Sequence, residues 1–591
     1  MKCEDDRILS ASTARLRGWK DVFLFAALGL VVLRLIIWKF FPHAEIFVRE
    51  ELSNLIVAGL SFLLFIGYQF YKFFAKEVWA RSGFFLPAFL LFVAVGSSVF
   101  YSVDRSVSVI SGVVFVAALF FFFMLCDLLD SMRRIRIFFI GMLLCALVTA
   151  AFAAREFVLL FMRQPLPSDV LLKDFNASLH YVLTRRRATS FLGWPNSLAG
   201  YLLLFLPLGG VYAVAAKGLC RRIFWGGAAV ILLAGFLATF SFLGWSSFLL
   251  SACLLSPLVL QKSRRPFTIA QTAGLVFSGL FLLGAYAWVI SRKDFGAALQ
   301  PRLLYYQNAV ALIAEHPFRG CGFGAFGMAS RYLVTSQEAL TAFVHNTYLQ
   351  WLVETGVLGL LGILTLVAAF IFASRRALAR YPSGVEGWLV IGLVWGLTAF
   401  LIDNFFSFTF IKPNIAWHGW AMLAALAATG RPVSGRVCSP ALQRWFCIVP
   451  GIFAGLMLCL SICLSASFFL YMEGRVARAE GDLARAGRCF VQASRLNPWS
   501  CVYPAATGIV LANSWKESGR ADFLAGSAAS FEEAVRRSPL NYINYLSLGQ
   551  IYAVMGQRDK SLNSFREARR LSPFEFEREL RIPLTNPQAV R

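Results

Sequence analysis

Charge is scarce in this 591-residue chain: Asp, Glu, Lys and Arg make up 15% of it, and acidic residues are the rarer kind, 32 against 56 basic. Hydrophobic residues reach 58% and mean hydropathy is +0.66, which excludes a soluble protein of this size. No cleavable signal pattern opens the chain. Met1 to Lys20 is polar and mixed in charge, and no small-residue cleavage site follows the first apolar run. The 12 cysteines make no disulfide framework, because Cys126, Cys145, Cys253, Cys459 and Cys463 lie in or beside apolar runs; only Cys321, Cys489 and Cys501 stand where oxidation is worth checking. No metal-ligand spacing is visible, so neither a metal nor a cofactor is expected. The run Gly322-Phe-Gly-Ala-Phe-Gly327 spells G-x-G-x-x-G, but no strand precedes it and no βαβ unit surrounds it. It reads as a flexible turn bringing backbone close to a substrate. The net charge of +24 reflects cytoplasmic loops first, and no nucleic-acid partner is expected.

What is present is a series of apolar runs near 20 residues. About thirteen segments are long enough to span a bilayer, roughly 21–41, 51–72, 84–102, 106–128, 135–154, 196–216, 222–239, 242–260, 270–291, 346–373, 387–410, 414–430 and 446–471. The expected fold is therefore all-α: a polytopic bundle of about 12–13 spans over residues 1–471, then a small helical solenoid over 472–591. Basic loops at 131–136, 217–222, 262–265, 374–380 and 430–436 each follow an even-numbered span. With a cytoplasmic N-terminus, all of them are cytoplasmic. Loops 155–195 and 292–345, and everything after Tyr471, then face the other side.

From Glu473 the composition turns soluble. Gly481–Pro498 recurs as Phe531–Pro539 and as Gly556–Pro573, with the prolines 41 and then 34 residues apart. A 34-residue helix-pair period with alanine at the packing position resembles tetratricopeptide repeats. The 41 reads as one repeat with an insertion near Ala521–Ser530. Such a solenoid holds a protein partner, or only caps the bundle.

The two outer loops carry the polar residues of interest. The first has a polar stretch from Lys173 to His180, a sequon-like Asn176-Ala-Ser178, Arg185-Arg186-Arg187 and Asn196; the second has an amphipathic helix Pro301–Glu315 with Pro301 in its first turn, ended by His316-Pro-Phe-Arg319-Gly320. His345 and Asn346 follow at the start of a long apolar helix. At 100° per residue His345, Leu349, Leu352, Gly356 and Gly359 share a stripe, and the two glycines would admit another helix. His345 either anchors the helix end or does chemistry at the water line. Arg187 and Arg302 can reach the same cavity, although Arg187 read alone is one charge in a basic loop. Arginine pairs with phosphate and offsets charge on a departing pyrophosphate; histidine can take a proton from an acceptor hydroxyl. Asp403 lies near the outer end of its span and can join the cavity, while Glu354, about 13 Å deeper, calls for a structural partner.

The stretch His345-Asn-x-x-Leu-x-x-x-x-Glu-x-Gly-x-x-Gly359 resembles the signature of the bacterial O-antigen ligase superfamily: O-antigen ligases, O-antigen polymerases and protein O-oligosaccharyltransferases. Arg187-Ala-Thr-Ser-Phe-Leu-Gly-Trp-Pro-Asn-Ser-Leu-Ala199 and Arg302 through Gly324 are similar to two further segments of that superfamily, in the same order. The resemblance covers roughly 185–425. It implies a multi-pass protein of the bacterial inner membrane that acts in lipopolysaccharide or related glycan biosynthesis, its repeats periplasmic. It implies metal-independent, inverting transfer of a glycan from an undecaprenyl-diphosphate donor to a hydroxyl of lipid A-core, another glycan or a protein. His345 would activate the acceptor, and Arg187 and Arg302 would hold the diphosphate. Arg186, Asn196, Arg319, Asn346 and Asp403 would complete substrate binding. One departure stands out. Many members have Ser-Arg-Gly near position 241, and here Phe242 takes the place of the arginine; if that arginine binds diphosphate, either activity is lost here or another cation such as Arg186 substitutes. A polytopic transporter, or an inactive tether working through the repeats, are the non-enzyme readings. The transporter predicts mid-bilayer charges and an inverted repeat, whereas the charged clusters here sit at the outer face.

Overall fold

The computed structural model describes residues 2–37, 46–77, 79–80, 82–163, 187–262, 293–431 and 440–581. The expected span 270–291, the Lys173–His180 stretch, the sequon and Arg186 lie outside them. Among the described residues every regular element is helical. The membrane part comprises α1 (Lys2–Ile36), α2 (Ile46–Ala75), α3 (Phe85–Tyr101), α4 (Arg105–Leu128), α5 (Met132–Arg163), α6 (Pro195–Leu203), α7 (Leu206–Ala215), α8 (Leu219–Leu237), α9 (Phe242–Lys262), α10 (Lys293–Glu315), α11 (Thr347–Arg380), α12 (Gly384–Asp403), α13 (Pro413–Thr429) and α14 (Pro440–Ala479). By length and hydropathy eight described helices can cross a membrane, and α3 and Phe242–Ser256 are shorter apolar helices.

Burial follows each helix's pattern. The apolar window of α4 is 78% buried, so this helix is hydrophobic all round and forms the centre of the bundle. In α8 and in α14 only 22% is buried. They lie at the periphery, where Ile223, Phe224, Ile452 and Leu456 stay exposed, as lipid-facing residues do.

Two expected elements differ. The span 196–216 stands as one crossing segment, Pro195–Ala215, but it is divided at 204–205 into α6 and α7, because Pro207 has no N–H to continue the ladder. The chain tightens through Leu204 N–H to Tyr201 C=O (3.2 Å) and Phe205 N–H to Leu202 C=O (3.0 Å). Gly396 of α12 leaves room for the Leu204 carbonyl at this break; a Cβ there would lie 2.4 Å from it. The last span does not stop at 471. α14 runs unbroken from the bundle to Ala479, so residues 1–471 and 472–591 share one helix.

Ion pairs gather the basic residues at one end. Lys72 in α2 meets Asp127 in α4 at 2.8 Å, Lys20 meets Glu77 at 2.6 Å, Arg134 meets Asp21 at 2.7 Å and Arg136 meets Glu386 at 2.7 Å. Lys72 and Asp127 are nearly fully buried, a costly placement offset by mutual pairing and by Tyr68 Oη–H (2.5 Å) and Ala80 N–H (2.7 Å) donating to the same carboxylate. The opposite end carries residues 101–104, 187–196, 239–242 and 301–346, with the start of the solenoid.

The soluble helices are α15 (Leu483–Leu496), α16 (Val502–Ser518), α17 (Ala521–Arg537), α18 (Tyr542–Val554), α19 (Arg558–Leu571) and α20 (Pro573–Arg581). They pack in consecutive pairs around one recurring contact: Gly474 against Phe490, Gly508 against Phe531, and Gly549 against Phe565. A side chain at any of these glycines would meet the ring at 2.6–2.8 Å. The first and last pairs span 16 residues and the middle pair 23. The seven extra residues are two helical turns, and they fall inside the pair that holds Ala521–Ser530. The end of α14, around Gly474, supplies the first helix of the first pair.

With basic loops at one end, the positive-inside bias predicts that this end is cytoplasmic. In a cysteine-free background, Ser518→Cys should react with an impermeant maleimide from the outer face of spheroplasts, and Ser383→Cys only after lysis. The reverse pattern would invert the protein.

Candidate functional site

The segment entering α6 is held from three sides. Ala188 N–H donates to Ala238 C=O at 3.0 Å. Thr189 and Ser190 N–H donate to a Glu156 carboxylate oxygen at 3.0 and 2.7 Å. Arg187 donates through Nε to Thr239 C=O (2.9 Å) and through Nη2 to Asn196 Oδ1 (2.6 Å). Its fork therefore bridges the start of α6 and the turn between α8 and α9. Asn196, expected to touch substrate, holds the arginine. Two of the five guanidinium N–H groups are used.

Arg302 lies on α10. This helix begins at Lys293, earlier than expected, and carries Pro301 inside it rather than in its first turn. Pro301 removes one backbone hydrogen bond. On the other side of the site, His345 lies in the loop just before α11 and not on the helix. Asn346 is the N-cap, its Oδ1 accepting from Leu349 N–H at 3.0 Å. The loop is fixed by Val344 N–H donating to Gln350 Oε1 (2.6 Å) and Thr347 N–H donating to Asn404 C=O (2.9 Å). His345 has φ +60°, a left-handed conformation that a non-glycine residue keeps only when its surroundings enforce it. Tyr305 of α10 stacks on the imidazole at 5.3 Å and Phe408 meets it edge-on at 4.7 Å.

Arg302 is the electrostatic centre of the group. Its charge acts on Arg187, on His345 and on Asp403. Burial, then Arg302, lowers Arg187 to about 10 and His345 to about 4; burial also lowers Arg302. Among the described residues no carboxylate forms an ion pair with either arginine. Asp403 is buried, but its Oδ2 accepts from Ser407 Oγ–H (2.6 Å) and Thr409 Oγ1–H (3.4 Å). Two partly desolvated cations and a neutral imidazole thus share one region, where among the described residues the Asp403 carboxylate offsets Arg302 from a distance without forming an ion pair.

Arg319 is exposed and its charge is felt by Tyr101 at the end of α3. Phe242 starts α9 and packs edge-on against Trp245 at 5.3 Å, three residues beyond the carbonyl that Arg187 occupies. The glycine turn packs on helices: a Cβ at Gly322 would meet Ser102, and one at Gly324 would meet Ser111. Gly356 admits the Phe318 carbonyl rather than a helix, and its φ of +67° interrupts α11. Close helix approach comes six residues later, where Gly362 receives Leu91 of α3. Gln350, Asn404, Thr239 and Glu156 escaped the sequence reading. Gln350 alone left a trace there, as a polar residue in an apolar helix; the others act through contacts distant in sequence.

Fold and site together define a polytopic membrane protein, helical throughout its described residues, with Arg187, Arg302 and His345 at the end of the bundle opposite the basic loops. Residues 194–364 match the family described as O-antigen ligase, which supports the O-antigen ligase superfamily and, coarsely, a glycan-transferring enzyme. The stretch includes Asn196, Arg302, Arg319, His345 and Asn346, while Arg186, Arg187 and Asp403 lie outside it. Among curated proteins nothing matches the chain.

Gly356→Ala should be costly. It forces a left-handed φ on alanine and sets a Cβ 2.0 Å from Phe318 O. A loss of roughly 2–4 kcal/mol is expected in denaturant unfolding of the purified protein, and wild-type stability would refute the packing.

Proposed function

We propose that the protein is a glycan transferase of the bacterial inner membrane, moving a glycan from an undecaprenyl-diphosphate donor to an acceptor hydroxyl at the periplasmic face. The observation that carries this reading is the excess positive charge around Arg302, which acts on both Arg187 and His345 and is offset in part by Asp403. A diphosphate is an anion of matching charge. Arg187, pre-oriented by Thr239 and Asn196, presents its remaining N–H groups to one phosphate, and Arg302 offsets charge as the bond to the anomeric carbon breaks. Polymerisation onto a second glycan, or transfer to a protein, uses the same geometry; the acceptor is lipid A-core, a glycan or a protein.

His345 then serves as general base. Its lowered proton affinity keeps the ring neutral, hence able to accept a proton, throughout the neutral range, yet makes it a weak base in the empty site. A bound diphosphate counters Arg302 and raises the histidine toward its ordinary value. The base thus strengthens when donor is present, which discourages proton abstraction without it. The repeats, read as tetratricopeptide-type, offer a surface to a protein partner or a large acceptor.

His345→Ala should abolish transfer while membrane insertion and yield persist, read by mass spectrometry of lipid-, polymer- and protein-linked glycans in a deletion host. Normal glycans with this variant would refute the assignment, and the glycoconjugate class lost identifies the acceptor. Because the base must be neutral, kcat/KM should fall on acidification well below pH 6.5, near pH 4. Removing the neighbouring cation by Arg302→Gln should move the limb of the residual activity to higher pH; an unmoved limb would mean that another group titrates. Phe242→Arg should leave transfer unchanged or raised, and complete loss would mean the site depends on the phenyl ring.

A further inference from the structure

The far end of the solenoid returns to the loop that carries His345. Arg331 Nη1 lies 2.5 Å from Glu575 Oε2 of α20, and the Arg331 guanidinium sits over the Tyr542 ring of α18 at 5.7 Å. Glu575 is buried, and the same oxygen accepts from Ser572 Oγ–H at 3.0 Å. An exposed ion pair would contribute little; this one is sheltered and joins residues 244 apart in sequence.

Its effect can be traced to the site. Tyr332, next to Arg331, donates its hydroxyl to Glu315 at the end of α10, the helix of Arg302. Residues 337–339 pack on α10. Leu333 and Val344 share a small apolar core with Ala309 and Leu312 of α10 and Val353 of α11. Ala342 lies against Gly327. The 331–345 loop is therefore held by the solenoid at one end and by Gln350 and Asn404 at the other. The solenoid is itself fixed at its start by the continuous α14, by Ser467 and Tyr503 hydroxyls 2.8 Å apart, and by Trp499 against the bundle core.

We propose that Arg331 and Glu575 are positioning residues: their pair clamps the repeat domain onto the 331–345 loop and thereby sets His345 relative to Arg302. This rests on the site reading above. The repeat domain is then a working part of the transferase, required even where no partner is bound.

The test uses the full-length protein as Arg331→Glu, Glu575→Arg, the double reversal, and the milder Glu575→Gln, which removes the charge without changing shape. Two readouts are taken: hydrogen exchange over 331–345, and transfer kinetics with undecaprenyl-diphosphate-linked glycan isolated from the host. Each single reversal should speed exchange and lower kcat by about 10-fold or more, with donor KM changed less than about 2-fold. The double should bring both back to within about 3-fold of wild type, and Glu575→Gln should fall between. A purely structural role would not give that rescue with an unchanged donor KM. Unchanged exchange in the single variants, faster exchange without loss of kcat, or a folded double variant as impaired as the singles would each overturn the proposal. Transfer surviving His345→Ala would overturn the site reading alone, since the exchange readout judges the clamp without it.

Discussion

One carboxyl group in an apolar helix holds the site end of this protein together. Glu354 of α11 is fully buried and accepts from Gln350 Nε2–H (2.7 Å) and from Phe326 N–H (3.4 Å). Its own main chain extends the tie: Gly322 N–H donates to Glu354 C=O and Cys321 N–H to Val353 C=O, both at 2.9 Å. Gln350, fixed through its amide nitrogen, turns its oxygen to Val344 N–H. A single buried group thus orders the glycine turn and, one side chain further on, the backbone beside His345. The interruption of α11 at Gly356 belongs to the same arrangement, because it lets residues 318–322 lie against the helix. Burying a carboxyl is expensive, and the hydrogen bonds to Oε1 offset part of the cost.

Around that scaffold the site is left electrostatically unfinished. Buried charged groups at the basic end are paired, Lys72 with Asp127 and Arg134 with Asp21. At the other end, among the described residues, Arg187 and Arg302 form no ion pair, repel each other, and have only Asp403 acting on Arg302 from a distance. An excess of positive charge in a desolvated region is suited to an incoming anion. Fixing Arg187 by neutral acceptors, Thr239 C=O and Asn196, orients the fork without spending its charge.

Much of this was legible in the sequence because it depends on local chemistry. Apolar runs of about 20 residues identified most crossing helices, and charge counting grouped at one end the basic loops at 131–136, 217–222 and 374–380 that the structure describes. The Asn-Pro and Ser-Pro punctuation marked the repeat period. Glu354 was recognisable as needing a partner, although its link to the glycine turn was not. The rest depends on tertiary contact. His345 looked helical by periodicity, yet the Asn346 cap and the Asn404 carbonyl draw it into a left-handed loop. Pro207 broke a span whose hydropathy was continuous, and hydropathy averages cannot register one missing N–H. Gly356 was read as a place for a helix, but a backbone carbonyl took the space. The Arg331–Glu575 pair joins two ordinary charged residues that nothing in a single sequence connects.

The uninterrupted α14 has a mechanical consequence. Forty residues with Pro450 among them at 1.5 Å rise make a helix of about 60 Å, which passes from the membrane part into the first repeat with no break near position 471. Unlike a flexible tether, it indexes the solenoid by helical phase. Adding or removing one residue near position 471 would rotate the repeats about 100° around the helix axis and carry α20 away from the loop it meets. Natural variation in this stretch should therefore be tolerated as substitution and resisted as insertion or deletion, the reverse of what a linker between independent domains permits.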